Sequence, residues 1–222
     1  GIAGSGQKEL LEAIAGLQNI SEGKIKFIDD NKQYIDLQTL NPGKIRELGI
    51  SLSFVPEDRL GMGLVSTFDL VDNVMLRSYN KKDKNHLFTT NRKDPSSLTK
   101  NIVNDLQVVT PSLHTEIRKL SGGNVQKVLV GREISSHPRV LMAAYPVRGL
   151  DINSSYLIYN LLMEQKENNA AVIYVGEDLD VLIDLCDRIV VLCDGKVSGI
   201  VDAYNISKEE IGLLMTKTGG EQ

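Results

Sequence analysis

With 222 residues, of which 41 % are hydrophobic, the chain is long enough to bury a core as one large domain or two small ones. A formal net charge of −4 and a pI near 5.5 argue against a nucleic-acid binder that works through a basic face. No stretch approaches the roughly 20 apolar residues of a membrane span, and no basic-then-apolar leader precedes a cleavage site. A soluble chain with no direct membrane insertion is therefore expected, any membrane association running through a protein partner.

The chain begins GIAGSGQKEL. In the phosphate-loop template G-x-x-x-x-G-K-[ST], backbone N–H groups wrap the phosphates, the lysine reaches their far end and the hydroxyl holds magnesium. Gly1 and Gly6 fit the template, but Gln7 stands at the lysine position and Lys8 at the hydroxyl position. One residue is a rotation of about 100° on a helix, so Lys8 does not point where Gln7 points. The cradle is kept without its chemical groups, and a tight strand-to-helix turn accounts for the same glycines equally well. The segment KELLEAIAGL predicts a helix with Leu10, Leu11, Ile14 and Leu17 on one face.

Alternating GKIKFID and KQYIDL predict antiparallel strands, LNPGKIRELG a short helix opened by Pro42, and ISLSFVP a buried strand. From Glu57 to about Leu120 the pattern turns helical, clearest in DLVDNVML and SLTKNIVNDLQV, with NKKDKNHLFTTNRKDPSS as a loop. RVLMAAYP, NSSYLIYNLLMEQKENN, AAVIYVG and LDVLIDLCD alternate strand and helix, which predicts crossover units and a parallel sheet. Leu157, Leu161 and Leu162 are expected in the core, and Asp151 is expected to cap the helix that follows it. RIVVLCDGKVSGIV predicts a hairpin turning on Asp194-Gly195, and SKEEIGLLM a helix with a Ser207/Glu210 capping box. Cys186 and Cys193 flank an apolar run and are expected as reduced, buried thiols in a cytosol; His86, His114 and His137 lie far apart without ligand spacing and are expected at the surface. Because a phosphate loop hangs from the end of a buried strand, the expected fold lacks the strands that feed Gly1.

A second anion site is written in LSGGNVQK. Ser121 offers a hydroxyl, Gly122 and Gly123 let the backbone approach an anion, and the helix that follows adds a partial positive charge at its N-terminus. Two phosphate sites about 120 residues apart make sense if one serves a neighbour's nucleotide.

At these residues the chain resembles the nucleotide-binding domains of ABC transporters. The correspondence covers the whole length: GIAGSGQKEL as a degenerate Walker A loop, FVPEDR at the glutamine loop, LSGGN as the signature, LMAAYP at Walker B, RGLD as the D-loop and GED at the switch histidine. The resemblance implies a P-loop NTPase (RecA-like) α/β fold with a parallel sheet core and a helical signature subdomain. Residues 1–56 would hold the Walker A loop, first helix and partial β-subdomain, 57–135 the helical subdomain, and 136–222 the rest of the core. It further implies ATP at Gly1, Gly4, Ser5, Gly6, Gln7, Lys8 and Glu9. The signature would comprise Leu120, Ser121, Gly122, Gly123, Asn124 and Gln126, and the D-loop Gly149, Leu150 and Asp151. FVPEDRLGMGLV, PVRGLD and EEIGLLMTKTG resemble most the C-terminal half of duplicated ATPase subunits that drive bacterial import of simple sugars and nucleosides. The implied partners are an upstream nucleotide-binding domain of the same subunit and transmembrane permease subunits, at the cytoplasmic face of the cell membrane.

The chain departs from that pattern at the residues of hydrolysis. Ala144 and Tyr145 stand where an aspartate and a glutamate bind magnesium and orient water, so magnesium is doubtful at this half's own site. Glu57 and Glu177 stand at the glutamine-loop and switch-histidine positions and would repel a γ-phosphate. The expectation is a half that supplies Ser121, Gly122 and Gly123 to its neighbour's ATP while hydrolysing none itself. Within the segment from Glu57 to about Asn80, Leu64 and Ser66 are expected to face a membrane subunit. The alternatives are a nucleotide-free structural domain and a soluble ABC-type ATPase of DNA repair or translation, the latter disfavoured by the acidic balance and by the lack of a coiled-coil insert.

Overall fold

A computed structural model describes residues 1–2, 4–54, 63–78 and 93–216. The chain divides into two compact units, one formed by residues 1–52 with 173–222 and the other by residues 53–172. Strands β3 (Ile50–Phe54), β4 (Val140–Ala144) and β5 (Ala171–Val175) form one three-stranded sheet with β4 in the middle. Leu141, Met142, Ala143 and Ala144 are each no more than 1 % exposed, as a strand covered on both faces requires.

In the first unit, helix α1 (Gln7–Ile14) follows the glycine loop. It ends at Ile14, short of the expected Leu17, because the chain turns through Ala15 and a left-handed Gly16. Only Leu11 of the predicted apolar face is fully buried, while Leu10 and Leu17 face outward. Strands β1 (Lys26–Ile28) and β2 (Tyr34–Asp36) pair antiparallel with Phe27 opposite Ile35. Helix α2 (Pro42–Glu47) starts on Asn41, whose side chain accepts from the Lys44 amide at 2.9 Å, with Pro42 in the first turn where its missing N–H is not needed.

Near the end of the chain, α7 (Leu179–Leu185) is capped by Asp178 and leads into the hairpin of β6 (Arg188–Cys193) and β7 (Lys196–Asp202). Asp194 and Gly195 both have positive φ, 48° and 74°, as a primed hairpin turn demands. Helix α8 (Lys208–Thr216) opens on the expected capping box: Glu210 accepts from the Ser207 amide at 2.9 Å, and the Ser207 hydroxyl accepts from the Glu210 amide at 3.3 Å. Ile189, Val191, Ala203 and Ile211 form the core under these elements. Neither cysteine is in a disulfide; Cys193 is buried and Cys186 only partly so at the end of α7.

The second unit holds α3 (Leu70–Ser78), α4 (Lys93–Asp105), α5 (Gly122–Ile134) and α6 (Ile152–Glu167). Helix α4 begins at Lys93, so the stretch KDPSS, expected in a loop, is helical; Pro95 falls in the first turn, where proline is tolerated. The rest of that predicted loop up to Arg92, His86 included, lies outside the described residues. Leu70, Val74, Ile102, Leu106, Ile117, Val128 and Leu129 build the core, and Leu157 and Leu161 of α6 pack on it as the periodicity predicts. His114 and His137 lie at the surface.

Two polar features inside this unit were not legible from periodicity. Asn73, fully buried in α3, accepts from the Val65 amide at 2.7 Å and donates to the carbonyls of Val65, Phe68 and Asp69, so one amide holds the incoming loop in shape. Glu133, 1 % exposed in α5, pairs with Arg77 at 2.7 Å and with Arg132 at 2.8 Å, and Arg132 also donates to the Gly63 carbonyl at 2.8 Å. Asn73→Ala removes a buried amide and orphans the Val65 N–H, while the Val65, Phe68 and Asp69 carbonyls each keep a backbone donor. It should lower unfolding free energy by roughly 2–4 kcal/mol, measured by urea denaturation of the chain.

Candidate functional site

The glycine loop has the backbone of a phosphate cradle. Gly6 caps α1 with φ 101° and no side-chain cap, a conformation that glycine takes without strain, and the first-turn N–H groups of a helix have no intrahelical partner. The loop is tied to the β6–β7 hairpin by a bond from the Gly195 amide to the Ser5 carbonyl at 3.2 Å.

Its side chains behave differently from those of the template. Gln7 is 9 % exposed and donates from Nε2 to the Ile2 carbonyl at 2.9 Å, the same oxygen that accepts the Ser5 amide at 3.1 Å. The amide in the lysine position therefore closes the loop on itself. Lys8 is turned along the outside of α1 to Glu12, Nζ to carboxylate 3.7 Å, with half of its side chain exposed. Glu9 lies exposed in the first turn of the helix.

The signature segment sits at the start of α5. Ser121 is its N-cap, its hydroxyl accepting from the Asn124 amide at 3.4 Å and from Asn124 Nδ2 at 2.9 Å. Asn124 Oδ1 in turn accepts from the Val109 amide at 2.9 Å, which fixes the preceding loop beside the helix end. Ser121 and Gly122 are exposed, Leu120 packs on the core, and Gly123 lies so close to Leu150 that an added Cβ would stand 3.3 Å from its methyl group. Gln126 is fully buried, so it is not part of the exposed face.

Gly149, Leu150 and Asp151, expected as the D-loop, lie between β4 and α6. Asp151 caps α6, accepting from the Ser154 amide at 3.0 Å and the Ser154 hydroxyl at 2.7 Å. These bonds, with Lys127 adding in the same sense, hold its carboxyl below the usual carboxylate range, so it is ionised at neutral pH. The signature and the D-loop thus touch within one unit, through Gly123 and Leu150.

At the end of β4, Ala144 is buried, and Tyr145 takes a left-handed φ of 51° with the Arg148 guanidinium 6.0 Å from its ring centre. Glu177 is exposed at the end of β5, beside the cap residue Asp178. Glu57 lies outside the described residues. Among the described residues, no group of three His, Cys, Asp or Glu side chains is placed to hold a metal ion. With lysine for hydroxyl at position 8 and no carboxylate at positions 144 and 145, the donor chemistry does not fit magnesium. Backbone amides and an exposed hydroxyl at helix ends fit a phosphate.

Comparison with known proteins agrees with this geometry. A guanosine import ATP-binding protein, NupO of Bacillus subtilis, is 37 % identical over 97 % of this chain, and a nucleoside import ATP-binding protein, NupA of Lactococcus lactis, is 34 % identical over 97 %. A xylose import ATP-binding protein, XylG of Moorella thermoacetica, is 33 % identical over the whole chain. The chain spans 41–42 % of the length of these curated relatives. Among solved structures, the ATP-binding cassette MJ0796 bound to ADP and Pi as a dimer superposes with a TM-score of 0.73 at 22 % identity, over 92 % of this chain and 83 % of that one. That likeness shows the fold, an α/β cassette with a parallel sheet and helices. Among the described residues, no helix is long and apolar enough to cross a membrane. A profile described as ABC transporter matches residues 1–146, and since that is well over half of the 222 residues, the chain belongs to the ABC transporter family.

Proposed function

We propose that this chain is the second, degenerate nucleotide-binding domain of a longer importer ATPase, one that lends its signature to the ATP held by the first. The observation that carries this reading is the contrast between its two helix ends. At α5 the Ser121 hydroxyl and Gly122 are exposed and ordered for an anion, whereas at α1 the lysine position is filled by an amide that bonds to its own loop. The relatives are described as import ATP-binding proteins for guanosine, nucleosides and sugars, and more than half of each lies outside the match, which leaves room for a first domain. The transported solute would be of that class, and the subunit would work at the cytoplasmic face of the membrane beside permease subunits.

In this reading the first domain holds ATP on its own Walker A loop. Ser121 would donate its hydroxyl to a γ-phosphate oxygen, Gly122 would admit the backbone, and the N-terminus of α5 would add a partial positive charge. Asp151 would present an ionised carboxylate at the same interface. This half's own loop would take nucleotide through backbone amides alone. The bond from Gln7 to Ile2 favours a second reading, in which the loop takes no nucleotide and the half is a scaffold; titration of the full-length subunit with ATP, counting one site or two, separates them.

Contact with a permease is assigned to the segment that enters α3. Leu64, expected at its surface, is 3 % exposed and belongs to the core; the exposed apolar side chains are Val65, Phe68 and Leu76, at 38, 41 and 40 %. The expected Glu57–Asn80 stretch otherwise lies partly outside the described residues.

Ser121→Arg or Gly122→Asp should abolish ATPase activity and solute uptake in the full-length subunit while ATP binding to the first domain persists. Gln7→Ala should leave turnover within a few fold of wild type, and equal damage from both kinds of change would make the degenerate loop catalytic. The chain by itself should release phosphate from ATP no faster than a buffer blank, in a coupled assay with magnesium present. Cysteines placed at Val65 or Phe68 should cross-link to the permease in the assembled transporter, whereas a cysteine at buried Leu64 should not.

A further inference from the structure

The direction of the Ser121 hydroxyl hydrogen is set by the groups around it, beginning one loop away. An N–H can only donate, so the Val109 amide, 2.9 Å from the Asn124 side chain, fixes which end of that side chain is the oxygen. The amide is itself well anchored. Val108 belongs to the core and donates its own amide to the Val103 carbonyl at 2.9 Å, which ties this loop to α4. With Oδ1 turned to Val109, Nδ2 is the end that faces Ser121, 2.9 Å from Oγ.

A serine oxygen carries one hydrogen and two lone pairs. Asn124 meets that oxygen twice, through Nδ2 at 2.9 Å and through its backbone N–H at 3.4 Å, and both groups are donors. Both lone pairs are thereby occupied. The hydrogen is left to point away from Asn124, and among the described residues no protein acceptor takes it. Because Ser121 is exposed, that hydrogen is open to an acceptor from outside the unit.

Resting on the reading that Ser121 serves the ATP of a paired domain, we propose that Asn124 is a positioning residue that holds the Ser121 hydroxyl as an outward donor to phosphate. A free hydroxyl rotates and presents its lone pairs to an anion part of the time, whereas this one is aimed before the nucleotide arrives. No contact between Asn124 and the nucleotide is required.

Asn124→Asp tests this with almost no change of shape. One carboxylate oxygen still accepts from Val109, while the other, having no hydrogen, accepts from Ser121 and turns its proton inward. In the full-length subunit with its permease, kcat for ATP should fall roughly tenfold to a hundredfold, as expected for one hydrogen bond to a charged group. ATP binding to the first domain and the melting temperature should stay unchanged. Asn124→Ala frees the hydroxyl to rotate and should cost only about threefold. Ser121→Ala should cost as much as Asn124→Asp, and the two together little more than either, because both remove the same donated proton.

Three outcomes overturn the proposal. Losses that multiply in the double variant would show the new carboxylate to act by its charge alone. A larger loss from Asn124→Ala than from Asn124→Asp would show the side chain to be only a brace for the loop, and full turnover in Asn124→Asp would show the direction of the proton to be immaterial. Ser121→Arg separates this proposal from the reading beneath it. If it abolishes turnover while Asn124→Asp leaves it intact, the positioning role alone fails; if it has no effect, the paired-site reading fails and takes the positioning role with it.

Discussion

A carboxylate with 1 % of its side chain exposed survives only if its charge is met in place, and Glu133 is met twice, by Arg77 from α3 and by Arg132 beside it on α5. The helical unit depends on this cluster. Arg132 carries the connection on to the Gly63 and Asn73 carbonyls, and Asn73 in turn shapes residues 65 to 69, whose backbone pairs with residues 116 to 118 just before the signature. The Ile117 amide donates to the Phe68 carbonyl and the Arg118 amide to the Ser66 carbonyl, at 3.0 and 3.1 Å. A surface assigned to the permease and a surface assigned to nucleotide are thus three residues apart along one hydrogen-bonded strap.

Two helix N-termini in one chain show how the same backbone chemistry diverges with its side chains. Both α1 and α5 open on glycine-rich segments, and a helix N-terminus offers N–H groups without intrahelical partners. At α5 the cap is a serine whose hydroxyl, held by Asn124, remains at the surface. At α1 the cap is a glycine with no side chain, and the nearest polar group, Gln7, bonds inward to Ile2. A lysine in that position would carry a charge that seeks phosphate oxygens, whereas a neutral amide is satisfied by a single carbonyl. Gln7 is therefore satisfied within the loop, and this is the physical basis for giving the two ends different roles.

Much of the architecture was readable in residue order because its signals are local. Asp151, Asp194-Gly195 and the Ser207/Glu210 pair each determine a helix start or a turn through local geometry and stand as read, and the helix read from Pro42 starts there on an Asn41 cap. Where local pattern failed, tertiary packing had decided. The amphipathic stripe of α1 predicted four buried residues, yet only Leu11 is fully covered, because the helix breaks at Gly16 before Leu17 can join the face. Pro95 read as a loop breaker but stands in the first turn of α4, where its missing N–H has no intrahelical partner to lose.

The sequence by itself determined which chemical groups each motif retained: a serine and two glycines at the signature, and neither lysine nor carboxylates at the positions of hydrolysis. It also determined the family, since those motifs recur in order along the whole chain. Only the tertiary structure decided what the retained groups do. It turned Lys8 outward to Glu12, closed Gln7 on Ile2, exposed Ser121 and buried Gln126. Those outcomes depend on how side chains are oriented and on which distant carbonyls lie within 3 Å, and neither quantity is carried by residue order.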